Sequence, residues 1–345
     1  MKTHPHIVFS WTRALLAFVV VCMMSGCGLV LTPIATLSAY GDAVKDDPQA
    51  FDDAFVQAIA EDFGLMALFA QVVYREDRKI GRGCGYLETG FDDTYGMPKS
   101  SDGTGRWMRW RGSNACVDDP GRGLFYETYV FRQGDAPPSE AVIAFRGTEN
   151  TKDQFISDWT TNLSALFGFE PAQYALARSM MPDLIKGLRH ANPEIVIHAV
   201  GHSLGGGLAQ QAGYQFAEVT RVVTFNTSPV TNWTRLKFDG AVRNRYPLIY
   251  RIYHGGEILE KVRFITTSFT STRYNRYDLG LQFDRKALVA GHSMRIVACM
   301  LARILDEGSD RHDAGHHYGR EYIRKEVLGS RICQPDPAQS PPERS

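Results

Sequence analysis

Residues 196–211 read VIHAVGHSLGGGLAQQ, and the reading of this stretch decides the rest. Ile195 to Val200 is β-rich, Gly201-His202-Ser203-Leu204-Gly205 is a tight turn, and Gly206 to Ala212 is helix-prone. That is G-x-S-x-G between a strand and a helix, the setting in which the pattern has mechanical meaning. Gly201 and Gly205 let the two backbones pass close beside a serine held in a strained conformation. The turn lifts the Ser203 hydroxyl clear of the sheet, and the helix start brings its positive end and free N–H groups to where an oxyanion would form. With 32 Gly in 345 residues the bare pattern is a weak signal, so its flanks must carry the argument. A second G-H-S at Gly291-His292-Ser293 has Arg295 in place of the closing glycine and serves as an internal control. The alternative reading of the first is a glycine-rich turn into a helix.

Lys plus Arg and Asp plus Glu both number 38, a balance that gives no case for a nucleic-acid partner. The N-terminus carries an address. Lys2 and Arg13 flank a basic start, Ala14 to Met24 is uncharged and apolar, and Met24-Ser25-Gly26-Cys27 follows. This is similar to a bacterial secretory signal ending in a lipobox, with Cys27 lipidated and first in the mature chain. An uncleaved anchor is the alternative, and both readings attach the protein to a membrane, the outer membrane or periplasm being favoured by Gly28 after the cysteine. The expected organisation is a signal over 1–27, a linker over 28–47, one domain over 48–333 and a disordered, proline-rich tail over 334–345. Outside the signal, Cys84, Cys116, Cys299 and Cys333 form an even set suited to an oxidising compartment. Three pairings are possible, and neighbours (Cys84 with Cys116, Cys299 with Cys333) are favoured. No C-x-x-C occurs, and neither a metal nor a cofactor is expected.

Asp47 and Pro48 read as N-cap and first position of a helix whose Phe51, Phe55, Ile59 and Phe63 recur at i+4. Residues 81–123 read as an irregular insertion, in which Tyr95, Trp107 and Trp110 are either structural or line a substrate mouth. Strands are expected over 124–132, 141–145, 221–226 and 248–254, and an apolar helix after His292, built on Met294, Ile296, Val297, Met300, Leu301, Ile304 and Leu305.

Phe145-Arg146-Gly147-Thr148, then Asp158-Trp159, then Gly201-His202-Ser203-Leu204-Gly205-Gly206 together resemble the class 3 (fungal-type) lipases of the α/β-hydrolase fold. The likeness runs from about residue 50 to 300. It implies a mostly parallel central sheet flanked by helices, and a serine hydrolase acting on carboxylic esters of lipids through an acyl-enzyme on Ser203, as a lipase or esterase. The oxyanion donors it implies are the N–H of Leu204 and of Thr148. A mobile lid would fall in 150–169. The triad acid belongs just past the strand over 248–254, where the family places aspartate and this chain has Glu257; a carboxylate at the right distance is all the role requires. Asp239, Glu260, Asp278 and Asp284 are the alternatives. The base must follow the acid, and among His292, His312, His316 and His317 the loop histidine before the last helix, His292, fits best. His254 comes too early and is read as capping its strand. The acid- and histidine-rich 306–317 fits no metal-site spacing and reads as a solvated loop. Two rivals stay open: a phospholipase or other acyl hydrolase on the same scaffold, and a membrane-anchored scaffold protein with a decayed site.

Overall fold

The computed structural model describes residues 53–74, 84, 97–100, 103–147, 170–230, 232–244, 247–254, 276–281 and 293–308. The chain divides into Met1–Ala35 and Thr36–Ser345, and everything described belongs to the second. The signal, the linker, the cap at Asp47 and Pro48, the lid segment, the tail and residues 309–317 of the loop expected over 306–317 lie outside the described residues, while 306–308 of that loop continue the last helix instead. No helix among the described residues is long and apolar enough to cross a membrane.

The element order is α1 (Asp53–Val72), β1 (Gly105–Arg109), β2 (Cys116–Asp119), β3 (Leu124–Gln133), β4 (Glu140–Phe145), α2 (Ala172–Ala191), β5 (Val196–His202), α3 (Leu204–Gln215), β6 (Val219–Phe225), α4 (Trp233–Phe238), β7 (Ile249–His254), β8 (Arg276–Leu281) and α5 (Met294–Gly308). The strands form one sheet in the order β1-β3-β4-β5-β6-β7-β8, with β2 also on β3. β4 through β8 run parallel, while β1, β2 and β3 are antiparallel to their neighbours. This is the α/β-hydrolase fold expected from the sequence, a mostly parallel sheet flanked by helices.

Strand burial explains why the central strands read as mostly apolar runs. Along β4, Val142 and Ala144 join one core with α1 and α5, while Ala141, Ile143 and Phe145 join another with α2 and α3. A parallel sheet covered on both faces cannot afford the apolar–polar alternation of a one-sided sheet. The same logic corrects the reading of α1. Ile59 and Phe63 are buried as expected, but so is the whole run Leu65 to Ala70, because the helix lies between the sheet and α5 and is covered on nearly every side. On α5, Met294, Val297, Ala298, Leu301 and Ala302 are buried at helical spacing, whereas Ile296, expected on the apolar face, is exposed.

The expected irregular insertion over 81–123 is partly regular. β1 and β2 cover the edge of β3, with Trp107 opposite Phe131 and Cys116 opposite Glu127. Trp107 is buried and its ring meets Phe69 at 4.9 Å and Phe131 at 5.6 Å, so it is a core aromatic and not part of a substrate mouth. Trp110 packs against the opposite core, and Tyr95 lies outside the described residues. Cys84 and Cys116 are disulfide-bonded across 32 positions, the expected pairing. A loop of that size contributes roughly 3–4 kcal/mol when closed. Cys299 is also disulfide-bonded, and its expected partner Cys333 lies outside the described residues.

Candidate active site

The parallel strands end together at Phe145, His202, Phe225, His254 and Leu281, and in open α/β sheets this carboxyl edge is where ligands bind. Ser203 follows β5 at that edge. Its backbone has φ 55° and ψ −125°, a region that costs a side-chain-bearing residue of order 1–3 kcal/mol and persists only where neighbours enforce it. Three backbone hydrogen bonds do so. The Ser203 N–H donates to Phe225 O at 3.0 Å, and Ser203 O accepts from Gly206 N and Ser228 N, each at 3.0 Å. Ser203 stands at the N-cap of α3, yet its hydroxyl makes no capping bond to that helix. The flanking glycines have no alternative. A Cβ on Gly201 would overlap the Gly205 carbonyl, and a Cβ on Gly205 would sit 2.7 Å from the Arg146 carbonyl carbon. Both obstacles are backbone and cannot swing away.

Mostly uncharged polar groups lock the underside of this turn. The Gln210 amide donates to Thr227 Oγ1 at 3.0 Å, Ser228 O at 3.1 Å and Gly206 O at 3.2 Å. Gln211 donates to Tyr174 O at 3.0 Å, and Asn232 donates to Gln211 and, at 2.8 Å, to Glu170. At the end of β6, Asn226 adopts φ 42°, a left-handed conformation that asparagine tolerates better than most residues. Its Oδ1 accepts the His254 N–H at 2.8 Å, which fixes the point where the chain leaves β7.

On the other flank of the elbow, β4 ends at Phe145 and the chain continues through Arg146 and Gly147. The Arg146 N–H donates to Phe125 O at 3.0 Å, and its guanidinium lies 5.1 Å from the Phe125 ring centre. The Gly147 N–H donates to the Tyr74 hydroxyl at 2.8 Å, and that hydroxyl is also 2.9 Å from His202 Nδ1.

Of the sequence-derived site, Ser203 and Leu204 are described, the latter as the first residue of α3. Thr148, Glu257 and His292 lie outside the described residues. They flank described elements closely in sequence: Thr148 follows Gly147, Glu257 comes three residues after the end of β7, and His292 precedes Ser293 at the start of α5. Two alternatives for the acid are already engaged. Asp278 grips Arg251 through both oxygens at 2.5 Å, and Asp239 pairs with Arg178 and Arg235 at 3.0 Å each. Glu260 and Asp284 lie outside the described residues. His254 is buried at the end of β7. Sequence reasoning missed Tyr74, Gln210 and Asn226. Two consecutive glutamines inside an otherwise apolar helix were the available signal for Gln210, since buried amides must be hydrogen-bonded.

Comparisons with known proteins bear on this geometry. The family model described as "Phospholipase-like: Tle-like phospholipase domain" matches residues 65–263. An extracellular phospholipase A1 of Serratia liquefaciens is 35% identical over 106 residues, and the match spans 30% of this chain and 30% of that protein. Among solved structures, a Pyrobaculum calidifontis esterase overlaps 77% of this chain and 96% of its own at 12% identity and a TM-score of 0.33. A truncated carbohydrate esterase from gut microbiota overlaps 62% and 98% at 12% identity, also with a TM-score of 0.33. Overlaps that loose carry no argument, and the fold rests on the sheet topology above. The matched family is a phospholipase-like one and not the class 3 lipases. The block around Arg146-Gly147 lies at the end of β4 and that around Ser203 forms the strand–turn–helix elbow, arrangements common to α/β-hydrolases, so they do not separate one family from another.

Proposed function

The chain belongs to the Tle-like phospholipase domain family, and from that premise we propose that it is an acyl hydrolase cleaving a carboxylic ester of a phospholipid. The observation that carries the proposal is the backbone of Ser203, held at positive φ by neighbours on β6 and α3 at the carboxyl edge of the sheet. Strain maintained at this cost is the mark of a site and speaks against a decayed scaffold. In the proposed reaction His292 takes the proton from the Ser203 hydroxyl as its oxygen attacks the ester carbonyl. Glu257 orients the imidazole and stabilises its cation. The tetrahedral oxyanion is met by the N–H groups of Leu204 and Thr148, the former at the positive end of α3. Collapse expels the lysophospholipid alcohol with a proton from His292. Water activated by the same histidine then releases the fatty acid and restores Ser203.

The Cys84–Cys116 disulfide supports export, because such bonds persist in oxidising compartments. The word "extracellular" in the Serratia relative's description points the same way. Tethering through a lipidated Cys27 is part of the same proposal, and metabolic labelling with a fatty-acid alkyne, lost in Cys27→Ala, tests it. Triacylglycerol and simple esters are the competing substrates on this scaffold. Rates on phosphatidylcholine, phosphatidylethanolamine, triolein and p-nitrophenyl esters distinguish them. The proposal expects phospholipid to be preferred and the activity to vanish in Ser203→Ala, and preference for neutral esters would move the assignment to lipase or esterase.

A further inference from the structure

Among the described residues, Tyr74 reaches from the α1 side of the sheet to both the elbow and the strand end at Gly147. It sits just past the end of α1, in the turn closed by its own N–H on Gln71 O at 2.9 Å. Its hydroxyl accepts the Gly147 N–H at 2.8 Å and meets His202 Nδ1 at 2.9 Å, spanning 73 and 128 positions in sequence. Its ring stands edge-on to the His202 imidazole at 5.6 Å. Gly147 is pressed into the same junction. A Cβ there would lie 2.6 Å from His202 O, 2.7 Å from the Tyr74 hydroxyl and 3.0 Å from Ser203 Cβ. Three separate segments therefore converge beside His202, the residue immediately before the nucleophile.

Resting on the reading of Ser203 as nucleophile and of Thr148 as an oxyanion donor, we propose that Tyr74 is a positioning residue that sets the gap between the elbow and the oxyanion loop. The Gly147 N–H is committed to Tyr74 and is thereby withdrawn from substrate. That leaves the next peptide N–H along, that of Thr148, as the loop's donor. Tying the loop to His202, the residue immediately before Ser203, makes the distance from nucleophile to donor depend on this hydroxyl as well as on the backbone contacts of Arg146 and Gly147. Displacing an oxyanion donor weakens a contact that is stronger in the transition state than in the ground state, so the consequence falls on kcat and spares KM.

Tyr74→Phe removes the hydroxyl and keeps the ring against His202. Phospholipid hydrolysis and the rate of Ser203 phosphonylation by a fluorophosphonate are measured on folded protein, with circular dichroism and thermal melting as controls. A misplacement on the order of 1 Å costs about a hundredfold in rate, so kcat and the phosphonylation rate are expected to fall about tenfold to a hundredfold while KM stays within about twofold. His202→Leu, which removes the other end of the bridge, is expected to give a comparable loss. The double variant is expected to lose no more than the worse single one, as for two residues acting through one contact. Unchanged kcat in Tyr74→Phe, or losses that multiply in the double variant, would overturn the proposal. So would a loss confined to KM or to thermal stability. If Tyr74→Phe does not yield folded protein, His202→Leu decides by the same split between kcat and KM. Failure of the underlying reading looks different: the parent itself would then not be labelled at Ser203.

Discussion

The two ends of the parallel sheet are held by different balances of chemistry. At the carboxyl edge, Ser203 and Asn226 sit at positive φ, glycines bring backbone onto backbone, and most of the locking groups are neutral (Tyr74, Gln210, Asn226, Thr227 and Ser228), with Arg146 over Phe125 and the Glu170 carboxylate on Asn232 as the charged members. At the amino edge the groups are ionic and aromatic. The Arg221 guanidinium lies 4.9 Å from the Phe63 ring centre and 5.0 Å from that of Tyr250, which in turn stacks on Tyr277 at 5.1 Å. His198 faces Glu140 at 3.5 Å on the neighbouring strand. Burial pushes the Arg221 pKa down and the Tyr250 pKa up, the expected response of groups withdrawn from water. The difference is instructive. Cation–π and ion-pair contacts tolerate small displacements, and they suit an edge that only has to hold. Short hydrogen bonds to fixed backbone tolerate little, and they suit an edge that must place one hydroxyl beside one or two N–H groups.

Variants at the two ends should therefore separate activity from stability. Ser203→Ala is expected to cut kcat by about a thousandfold or more with the melting temperature little changed; activity surviving at a tenth of the parent's rate would break the contrast at once. Gly205→Ala forces a Cβ onto the Phe145–Arg146 backbone, and a loss on the order of 3 kcal/mol together with activity is expected, measured by urea unfolding. Replacing Cys84 and Cys116 together by alanine should cost about 3 kcal/mol of stability while the specific activity of the protein that remains folded is retained. Gln210→Leu leaves Ser228 O and Thr227 Oγ1 without their amide donor, and should cost about 1–3 kcal/mol with a measurable fall in kcat. At the far edge, Arg221→Leu should cost only about 1 kcal/mol and leave kcat as it was. An equal effect of the last two on kcat would show that the edges are not independent.

How much of this was legible in the sequence follows from the same division. β4, β5, β6 and β7 could be read because burial on both faces makes them mostly apolar and rich in β-branched and aromatic residues, and the elbow because its glycines are forced by backbone contact. β1 and β2 were read as irregular because they are short and carry Gly, Arg, Cys and Asp; their pairing with β3 is decided by the partner strand and not by their own composition. β8 went unread for a related reason. Its Asp278 is satisfied by Arg251 of β7, a partner that spacing alone does not reveal. α2 repeats buried Tyr174, Ala177, Met181, Leu184 and Leu188 at helical spacing, but Pro182 in its interior obscures the pattern. Within the candidate site, the elbow at Ser203 and Leu204 was readable because the motif is contiguous. Tyr74, Gln210 and Asn226 were not, since each acts on a residue remote in sequence, and residue type alone does not name a tertiary partner.

The central claim is that the strained serine after β5 is the nucleophile of a phospholipid acyl hydrolase. Its most direct test is to incubate the folded protein with phosphatidylcholine vesicles and identify the products by mass spectrometry, with Ser203→Ala alongside. The account predicts equal amounts of fatty acid and lysophosphatidylcholine from the parent at early times and neither from the variant. Release of phosphocholine or phosphatidic acid, or identical products from Ser203→Ala, would contradict it.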